Sequence, residues 1–242
     1  MTRHALLNNV DHKDLRVITE RSAKFGDNVR GALTFSWEFR SVQAHYPIVF
    51  NKNPETGVFT ALAMFGFEEG ENLFLGDDGW TTSYIPMTML IQPFLIGFQG
   101  SPESRGPDSQ PVIHIDMDSP RISDSEGEPV FLPHGGISEY LEEVNSRLDA
   151  IHGGYAGDQE FLAMLAEHDL LESFVLDVKL NDGSEKRLTG FYTINEDRLR
   201  SLDGALLASL NAKGFLLPIY MVIASLSNLR TLIDKRNALL AS

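Results

Sequence analysis

The stretch that decides the fold runs from Tyr46 to Phe98 and reads YPIVFNKNPETGVFTALAMFGFEEGENLFLGDDGWTTSYIPMTMLIQPFLIGF. Its aromatic and aliphatic residues are interrupted at short intervals by glycine and proline, a pattern typical of short strands joined by tight turns. The interrupting residues are Gly66, Gly70, Gly76, Gly79, Pro86 and Pro93. Because the stretch is rich in core-forming side chains and contains no catalytic motif, it predicts a structural core.

The composition of the chain sets the broad class of protein. Of its 242 residues, 43% are hydrophobic and 22% are charged, which is typical of a folded protein, and we expect a single domain over residues 1–242. The formal net charge is -14 and basic residues do not cluster in the sequence, so we expect no binding to nucleic acid or to acidic membranes. The absence of cysteine excludes disulfides, thiolate metal sites and a cysteine nucleophile.

The N-terminal residues carry no recognisable targeting signal. Residues 1–10 lack the uninterrupted apolar run and the cleavage site of a secretory signal, so a cytoplasmic location is the default expectation. Export to the cell surface by a route without such a signal is the alternative. The longest strongly apolar run, Phe215–Leu226, is shorter than the about 20 residues of a membrane-spanning helix, so we expect no membrane span.

The second half of the chain predicts helices and a hairpin. Apolar residues recur between Ile137 and Ile151 at alternating steps of four and three, which is the spacing of one helix face. Gly153 is expected to end this helix and Asp158 to cap the next, so the glycine-rich joint predicts an antiparallel helical pair. Residues 181–183, with the sequence Asn-Asp-Gly, are typical of a tight hairpin turn.

The C-terminal part predicts short capped helices and then one long helix. Asn195 and Asp203 stand where helix N-caps are expected. From Ile219 to Leu240 apolar residues recur about every 3.5 residues, which predicts a long helix whose seam is buried, with a dimer contact as the alternative. Polar residues 99–110 and 118–133 predict loops. The expected class is therefore α+β, with short antiparallel strands and hairpins, a helical pair and a long C-terminal helix.

His114 and Asp116 form the sharpest candidate for a chemical site. They lie on the predicted strand Val112–Met117, where residues two apart point to the same side. Together with a distant histidine they would supply the two-histidine, one-carboxylate set that holds Fe(II) in oxygenases. The candidate third ligands are His134, His152 and His168. The alternative is a histidine near a strand end beside acids that cap the loop, since matches of three residues arise easily by chance.

An acidic run after the same strand is a candidate calcium site. It comprises Asp116, Asp118, Asp124, Glu126 and Glu128. Carboxylate oxygens are the ligands that Ca²⁺ prefers, but the spacing differs from that of an EF-hand loop, so a solvated polar loop is the alternative. The candidate metal ligands are therefore His114, Asp116 and Asp118, with Fe(II) or Ca²⁺ as the ion, and no other cofactor is expected.

Aromatic residues give a candidate ligand cleft. Trp80, Tyr84 and Phe94 could line it together with Trp37, since aromatic side chains often line such clefts. Because each lies beside strand or turn signals, filling the core is the alternative. The sequence contains neither a Gly-x-Ser-x-Gly elbow nor a His-Glu-x-x-His pair, so the common hydrolase signatures are absent. Whether the protein is an enzyme stays open.

The order of several short motifs resembles that of the bacterial SapC family. In the first half these motifs are Tyr46–Phe50, Glu71–Phe74, Gly79–Trp80, Tyr84–Pro86 and Pro93–Phe94. In the second half they are Asp116–Pro120, Leu188–Tyr192, Gly214–Leu216 and Ile219–Leu226. The resemblance covers nearly the whole chain, so we expect the single domain to be SapC-like.

The resemblance implies an accessory function and no established reaction. It implies a link to bacterial surface layers and a role beside other bacterial proteins in the envelope or in nutrient uptake. We therefore expect a non-enzymatic interaction protein, with an Fe(II)-dependent oxygenase and a Ca²⁺-binding surface-layer component as alternatives. Leu90 and Ile91 stand where the family pattern has basic residues, which argues against anion binding at that turn. His114 lies outside the shared motifs.

Overall fold

The computed structural model describes residues 3–98 and 111–241, so the predicted loop at 99–110 lies outside the described residues. The expected α+β class is confirmed, because helices occur together with antiparallel strands in small sheets. The chain forms two compact units. Unit 1 comprises Met1–Asp27, Leu75–Trp80 and Met87–Gly153, and unit 2 comprises Asn28–Phe74, Thr81–Pro86 and Gly154–Ser242. The expectation of a single domain stays a prediction.

The helices and strands have the following bounds. Within the described residues the strands are β1 (His4–Leu6), β2 (Arg16–Val17), β3 (Gly31–Thr34), β4 (Ile48–Lys52), β5 (Phe59–Met64), β6 (Leu75–Gly76), β7 (Gly79–Trp80), β8 (Phe94–Phe98), β9 (Pro111–Asp116), β10 (Ile122–Ser123), β11 (Glu128–Pro129), β12 (Leu171–Lys179) and β13 (Glu185–Ile194). The α-helices are α1 (Phe39–Val42), α2 (Met87–Leu90), α3 (Glu139–Glu167), α4 (Glu196–Arg200), α5 (Gly204–Ala212), α6 (Leu216–Ser225) and α7 (Asn228–Leu240).

Unit 1 contains an antiparallel sheet with the strand order β1-β9-β8. Phe94 on β8 pairs with Ile115 on β9, and the two side chains are 1% and 0% exposed, so their face of the sheet belongs to the core. Because neighbouring residues on a strand point to opposite faces, His114 and Asp116 lie on the other face. A second small sheet, β10-β2-β11, and the β6-β7 hairpin complete the strands of this unit.

A buried ion cluster also lies in unit 1. Asp27 and Arg121 are 0% and 1% exposed, and Arg121 Nη2 donates to Asp27 Oδ2 at 2.7 Å. Arg121 Nη1 donates to the carbonyl oxygens of Ile18 and Glu20, at 2.9 and 2.8 Å. Arg21 Nη1 lies 3.2 Å from Asp27 Oδ1. Since a buried carboxylate is unfavourable without a counter-charge, the two guanidinium groups make the burial of Asp27 possible.

Unit 2 contains a five-stranded antiparallel sheet with the order β12-β13-β4-β5-β3. The predicted hairpin is confirmed, because Asn181–Gly183 lies in the turn between β12 and β13. Gly183 has a φ of +84°, a conformation that glycine adopts without strain. The central pair, β4 and β5, comes from the stretch that begins at Tyr46, and Ile48–Phe50 are 0% exposed. That stretch therefore supplies the core of this sheet.

The predicted helical pair is wrong, because Glu139–Glu167 form one continuous helix, α3. Gly154 lies inside it, and a Cβ atom there would come within 2.3 Å of Trp37 Nε1. Glycine inside a helix costs about 1 kcal/mol relative to alanine, so the close approach of Trp37 gives this glycine a packing role. Asp158, predicted as a cap, lies inside the same helix and is 5% exposed. Gly154 and Asp158, predicted as parts of a joint between two helices, are thus closely packed positions within one helix, whereas a Cβ atom at Gly153 would meet nothing within 4 Å.

The predicted long C-terminal helix is confirmed as two consecutive helices, α6 and α7, joined by Leu226 and Ser227 in helical conformation. Among the described residues, one helical segment, Leu216–Leu240, is long and apolar enough to cross a membrane by length and composition, with a mean hydropathy of 1.5 and 28% of that window buried. A core helix of a soluble protein passes the same test, so this is weak evidence. The absence of a membrane span and the dimer contact stay predictions.

Candidate interaction surface

The structure does not bring the predicted metal ligands into a three-ligand group. Within residues 3–98 and 111–241, no group of three or more His, Asp or Glu side chains is placed to hold a metal ion. The His114 ring packs over Gly97, where a Cβ atom would come within 2.3 Å of it. Asp116 Oδ1 accepts a hydrogen bond from the amide of Asp118, at 3.0 Å, and Asp118 Oδ2 accepts one from the amide of Arg3, at 2.8 Å. A metal at these residues stays a prediction.

Among the described residues, the histidines proposed as third ligands form no metal-binding group with His114 and Asp116. His152 is exposed on α3, and it lines a cleft together with Ile113, which lies on the opposite face of β9 from His114. His134 is exposed in the segment before α3, and His168 belongs to unit 2. The remaining candidate calcium ligands are exposed, namely Asp124, Glu126 and Glu128.

The predicted aromatic cleft is not assembled within either unit. Phe94 is 1% exposed and its ring centroid lies 6.1 Å from that of Tyr140, so it fills the core of unit 1. Trp80 is half-buried in unit 1, whereas Tyr84 belongs to unit 2. The Tyr84 hydroxyl donates to Glu38 Oε1 at 2.7 Å, and burial together with this bond raises the pKa of Tyr84. For Phe94 the structure supports the core interpretation.

An exposed apolar side of α6, in unit 2, is the strongest candidate for a functional surface. Leu217 and Tyr220 are 52% and 55% exposed, and Met221 lies beside them because residues three and four apart are neighbours on a helix. Ile219 and Val222 lie on the other side of α6, and both are 0% exposed. The helix is therefore apolar on both sides, although the core covers only one of them.

Trp37 extends this apolar side. It is 45% exposed, and it lines a groove of about 250 Å³ together with Leu217 and Met221. Its ring stacks on Phe35, with centroids 6.3 Å apart and planes 4° apart, and its Nε1 lies over Gly154. We call the surface formed by Trp37, Leu217, Tyr220 and Met221 the α6 face.

A part-buried pair of hydrogen bonds fixes the turn that carries Trp37. The amide and the Oγ of Ser36 donate to Asp158 Oδ2 and Oδ1, at 2.9 and 2.5 Å. Burial raises the pKa of Asp158, an effect that the hydrogen bonds from Ser36 partly offset. The indole of Trp37 thus packs against α3 and follows an anchored backbone segment, so its position within unit 2 is fixed.

Basic residues line the same groove. Lys213 pairs with Glu160, whereas the exposed Arg40 forms no ion pair in the part of the chain that the structure describes. The α6 face is therefore an apolar surface with a positive rim, on a chain whose formal net charge is -14. Such a surface is suited to an apolar side chain that has an acidic group beside it.

Sequence reasoning missed the α6 face because it interpreted the C-terminal seam as core and Trp37 as a cleft or core residue. A usable signal exists in the segment Leu216–Ser225, whose sequence LLPIYMVIAS is apolar around the whole helix. A helix that is apolar all round needs contacts on every side, and one core supplies them on only one. The sequence does not show which side stays uncovered.

The α+β fold and the α6 face define a protein with an exposed aromatic surface. A comparison with known protein families identifies the family to which it belongs. The family model described as SapC matches residues 7–232 of the chain. The chain therefore belongs to the SapC family, which confirms the resemblance of its ordered motifs. No curated protein and no solved structure matches the chain significantly.

Proposed function

We propose that this SapC-family protein is a non-enzymatic accessory protein that binds another protein of the bacterial envelope or surface layer through the α6 face. The observation that carries the proposal is the exposure of Trp37, Leu217 and Tyr220, at 45%, 52% and 55%, at neighbouring positions of one unit. Grouped apolar side chains at a protein surface mark interaction sites, whereas single ones do not.

The residue types of the α6 face support this proposal. Tryptophan, tyrosine and arginine dominate the few residues that carry most of the binding free energy in protein interfaces, and methionine is enriched there. Trp37 is packed against Gly154, so little side-chain entropy is lost when a partner orders it. The α6 face therefore has an anchor of fixed geometry next to a groove.

The charges around the groove indicate the chemistry of the partner. Arg40 supplies a positive charge at the rim, and it favours a partner segment with apolar side chains and at least one aspartate or glutamate. A lipid surface is the less favoured occupant, because a net charge of -14 repels anionic headgroups. We therefore assign the α6 face to a protein partner.

The link to the envelope is supported by membership of the SapC family. The expected location is the cytoplasm, with the cell surface as the alternative. Fractionation of the native bacterium, combined with protease treatment of intact cells, distinguishes these two locations. Loss of the protein from intact cells would indicate the surface, and retention in the soluble fraction would indicate the cytoplasm.

Photo-crosslinking in the native bacterium tests the binding function. A benzoylphenylalanine at position 217 is compared with one at position 175, because Leu217 and Val175 are both exposed apolar residues of unit 2, at 52% and 47%. We expect one discrete protein adduct from position 217, none from position 175, and loss of the adduct when Arg40→Glu is added.

Three outcomes would contradict the proposal. They are equal adducts from both positions, no adduct from either position, and an adduct to lipid in place of protein, which would assign the α6 face to a membrane surface. Mass spectrometry of the adduct identifies the partner and the crosslinked segment, whose acidic content is then compared with the charge of Arg40.

A further inference from the structure

A cleft in unit 1, independent of the α6 face, combines an apolar lining with convergent polar groups. It has a volume of about 260 Å³ and is bordered by β8, β9 and α3. Its apolar lining is formed by Ile96, Pro111, Val112, Ile113 and Leu148, and its polar lining by Asn145, Asp149 and His152. Ligand sites in proteins commonly have this composition, with a few polar groups set in an apolar wall.

The polar groups come from one face of α3. Asn145, Asp149 and His152 follow one another at steps of four and three residues, so they project to the same side of the helix. Leu148 shares this side and is 4% exposed, whereas Asp149 and His152 are exposed. The carboxylate and the imidazole therefore stand at the open side of the cleft, with apolar side chains below them.

An unpaired acceptor on the side chain of Asn145 indicates that the cleft binds a ligand. Its Oδ1 is buried and has no hydrogen-bond partner among the described residues. A buried acceptor without a donor is unfavourable in a folded protein, so such a group in the wall of a cleft calls for an explanation. A ligand that brings an N–H or O–H donor into the cleft would satisfy this oxygen once the amide turns from its buried position toward the cleft.

We propose that this cleft binds a small organic cation, consisting of an apolar body and a protonated amine. The apolar lining receives the body, while Asn145 Oδ1 and the Asp149 carboxylate accept hydrogen bonds from the ammonium group. An anionic ligand is disfavoured, because Asp149 repels it and the chain as a whole has a formal net charge of -14.

The volume limits the size of the ligand. An apolar cavity of about 150 Å³ holds benzene, with its six carbons. By the same ratio the 260 Å³ cleft accepts roughly ten non-hydrogen atoms. An aromatic ring with a short aminoalkyl chain has this size.

Three probes of nearly equal size test the proposed chemistry on the full chain. Phenethylamine, phenethyl alcohol and phenylacetate share the aromatic body and differ in the charge of the polar group. We expect saturation-transfer NMR and calorimetric titration to show that the amine binds, the alcohol binds more weakly and phenylacetate does not bind. Binding of phenylacetate as tight as that of the amine, or no binding of the amine, would overturn the proposal.

A matched pair of variants tests the role of Asp149. Asp149→Asn removes the carboxylate. We expect it to weaken the binding of phenethylamine roughly tenfold and to leave the binding of phenethyl alcohol unchanged, because only the amine makes a charge-assisted hydrogen bond. Glu143→Gln is the control, since Glu143 lies on a different side of α3 in an exposed pair with Arg147. Equal effects of the two variants on the amine would contradict the assignment.

The variant Asn145→Leu separates a binding role from a structural one. If Oδ1 binds a ligand, its removal raises the midpoint of thermal unfolding of the unliganded protein, because a buried unpaired acceptor is lost. The same variant then binds both the amine and the alcohol more weakly. A lower midpoint with unchanged binding would show that Asn145 is structural, and this result would contradict the proposal. Circular dichroism confirms that each variant is folded.

Discussion

The ion cluster of unit 1 buries charged side chains, whereas the α6 face of unit 2 exposes large apolar ones. Asp27 and Arg121 are 0% and 1% exposed, while Leu217 and Tyr220 are 52% and 55% exposed. Both arrangements oppose the usual distribution of residues in folded proteins. The buried charges are compensated within unit 1 by ion pairs and hydrogen bonds to carbonyl oxygens, but the described residues of unit 2 leave about half of Trp37, Leu217 and Tyr220 exposed. Folding therefore explains the first arrangement, and the second is the observation on which the proposed binding function rests.

The largest effect is expected from breaking the buried cluster. Arg121→Ala leaves Asp27 with less counter-charge in the core, and the removal of one partner of a buried ion pair destabilises by about 3–5 kcal/mol. Urea unfolding followed by circular dichroism measures the loss. Arg3→Ala is the control, because the Arg3 side chain is 70% exposed in its pair with Asp118, and such pairs contribute about 0–1 kcal/mol. Similar losses in the two variants would refute a structural role for the cluster.

Substitutions at two adjacent glycines of α3 test whether Trp37, in the α6 face, is packed on this helix. Gly154→Ala places a Cβ within 2.3 Å of Trp37 Nε1, so we expect a loss of about 1–3 kcal/mol and a shift in tryptophan fluorescence. Gly153→Ala meets nothing within 4 Å and should stabilise α3 by about 0.5–1 kcal/mol. If both variants stabilised the protein equally, Trp37 would not be packed on α3.

The smallest effect is expected in the way the contribution of Asp158 to the unfolding free energy depends on pH. Because its pKa is raised above 3.8, the native state holds this proton at pH values where the unfolded chain has released it. The contribution of Asp158 to stability is therefore complete below pH 3.8 and is lost as the pH rises through the native pKa. We expect the unfolding free energy of the wild type, relative to Asp158→Asn, to fall as the pH rises from about 4 to 7. A rising difference would show that the Ser36 hydrogen bonds outweigh burial.

Local signals in the sequence predicted the local structure. Asn195 and Asp203 cap α4 and α5 as expected, with side-chain oxygens that accept from Arg198 N at 2.9 Å and Leu206 N at 2.8 Å. The hairpin turn at Asn181–Gly183 also depends only on neighbouring residues. The end expected at Gly153 was wrong, because Gly153 lies inside α3. The role of its neighbour Gly154 is set by Trp37, more than one hundred residues away in the chain.

The candidate surface and the buried cluster could not be predicted, because both depend on tertiary contacts. Asp27 and Arg121 are separated by 94 positions, and no sequence pattern links them. Trp37 and Leu217 lie in different parts of the chain, and only folding places them on one groove. Periodicity identifies α6 as an apolar helix, but it does not tell which of its sides the core leaves exposed.

The most direct test of the α6 face as a binding surface compares two tyrosines with the same exposure. Tyr220 on the α6 face and Tyr155 on α3 are both 55% exposed, so serine substitutions should change the unfolding free energy by similar, small amounts. Once crosslinking has identified the partner, calorimetric titration of the purified proteins gives the affinity of each variant. If the α6 face binds the partner, Tyr220→Ser weakens binding at least about tenfold and Tyr155→Ser leaves it unchanged. Equal affinities for Tyr220→Ser and the wild type would contradict this role.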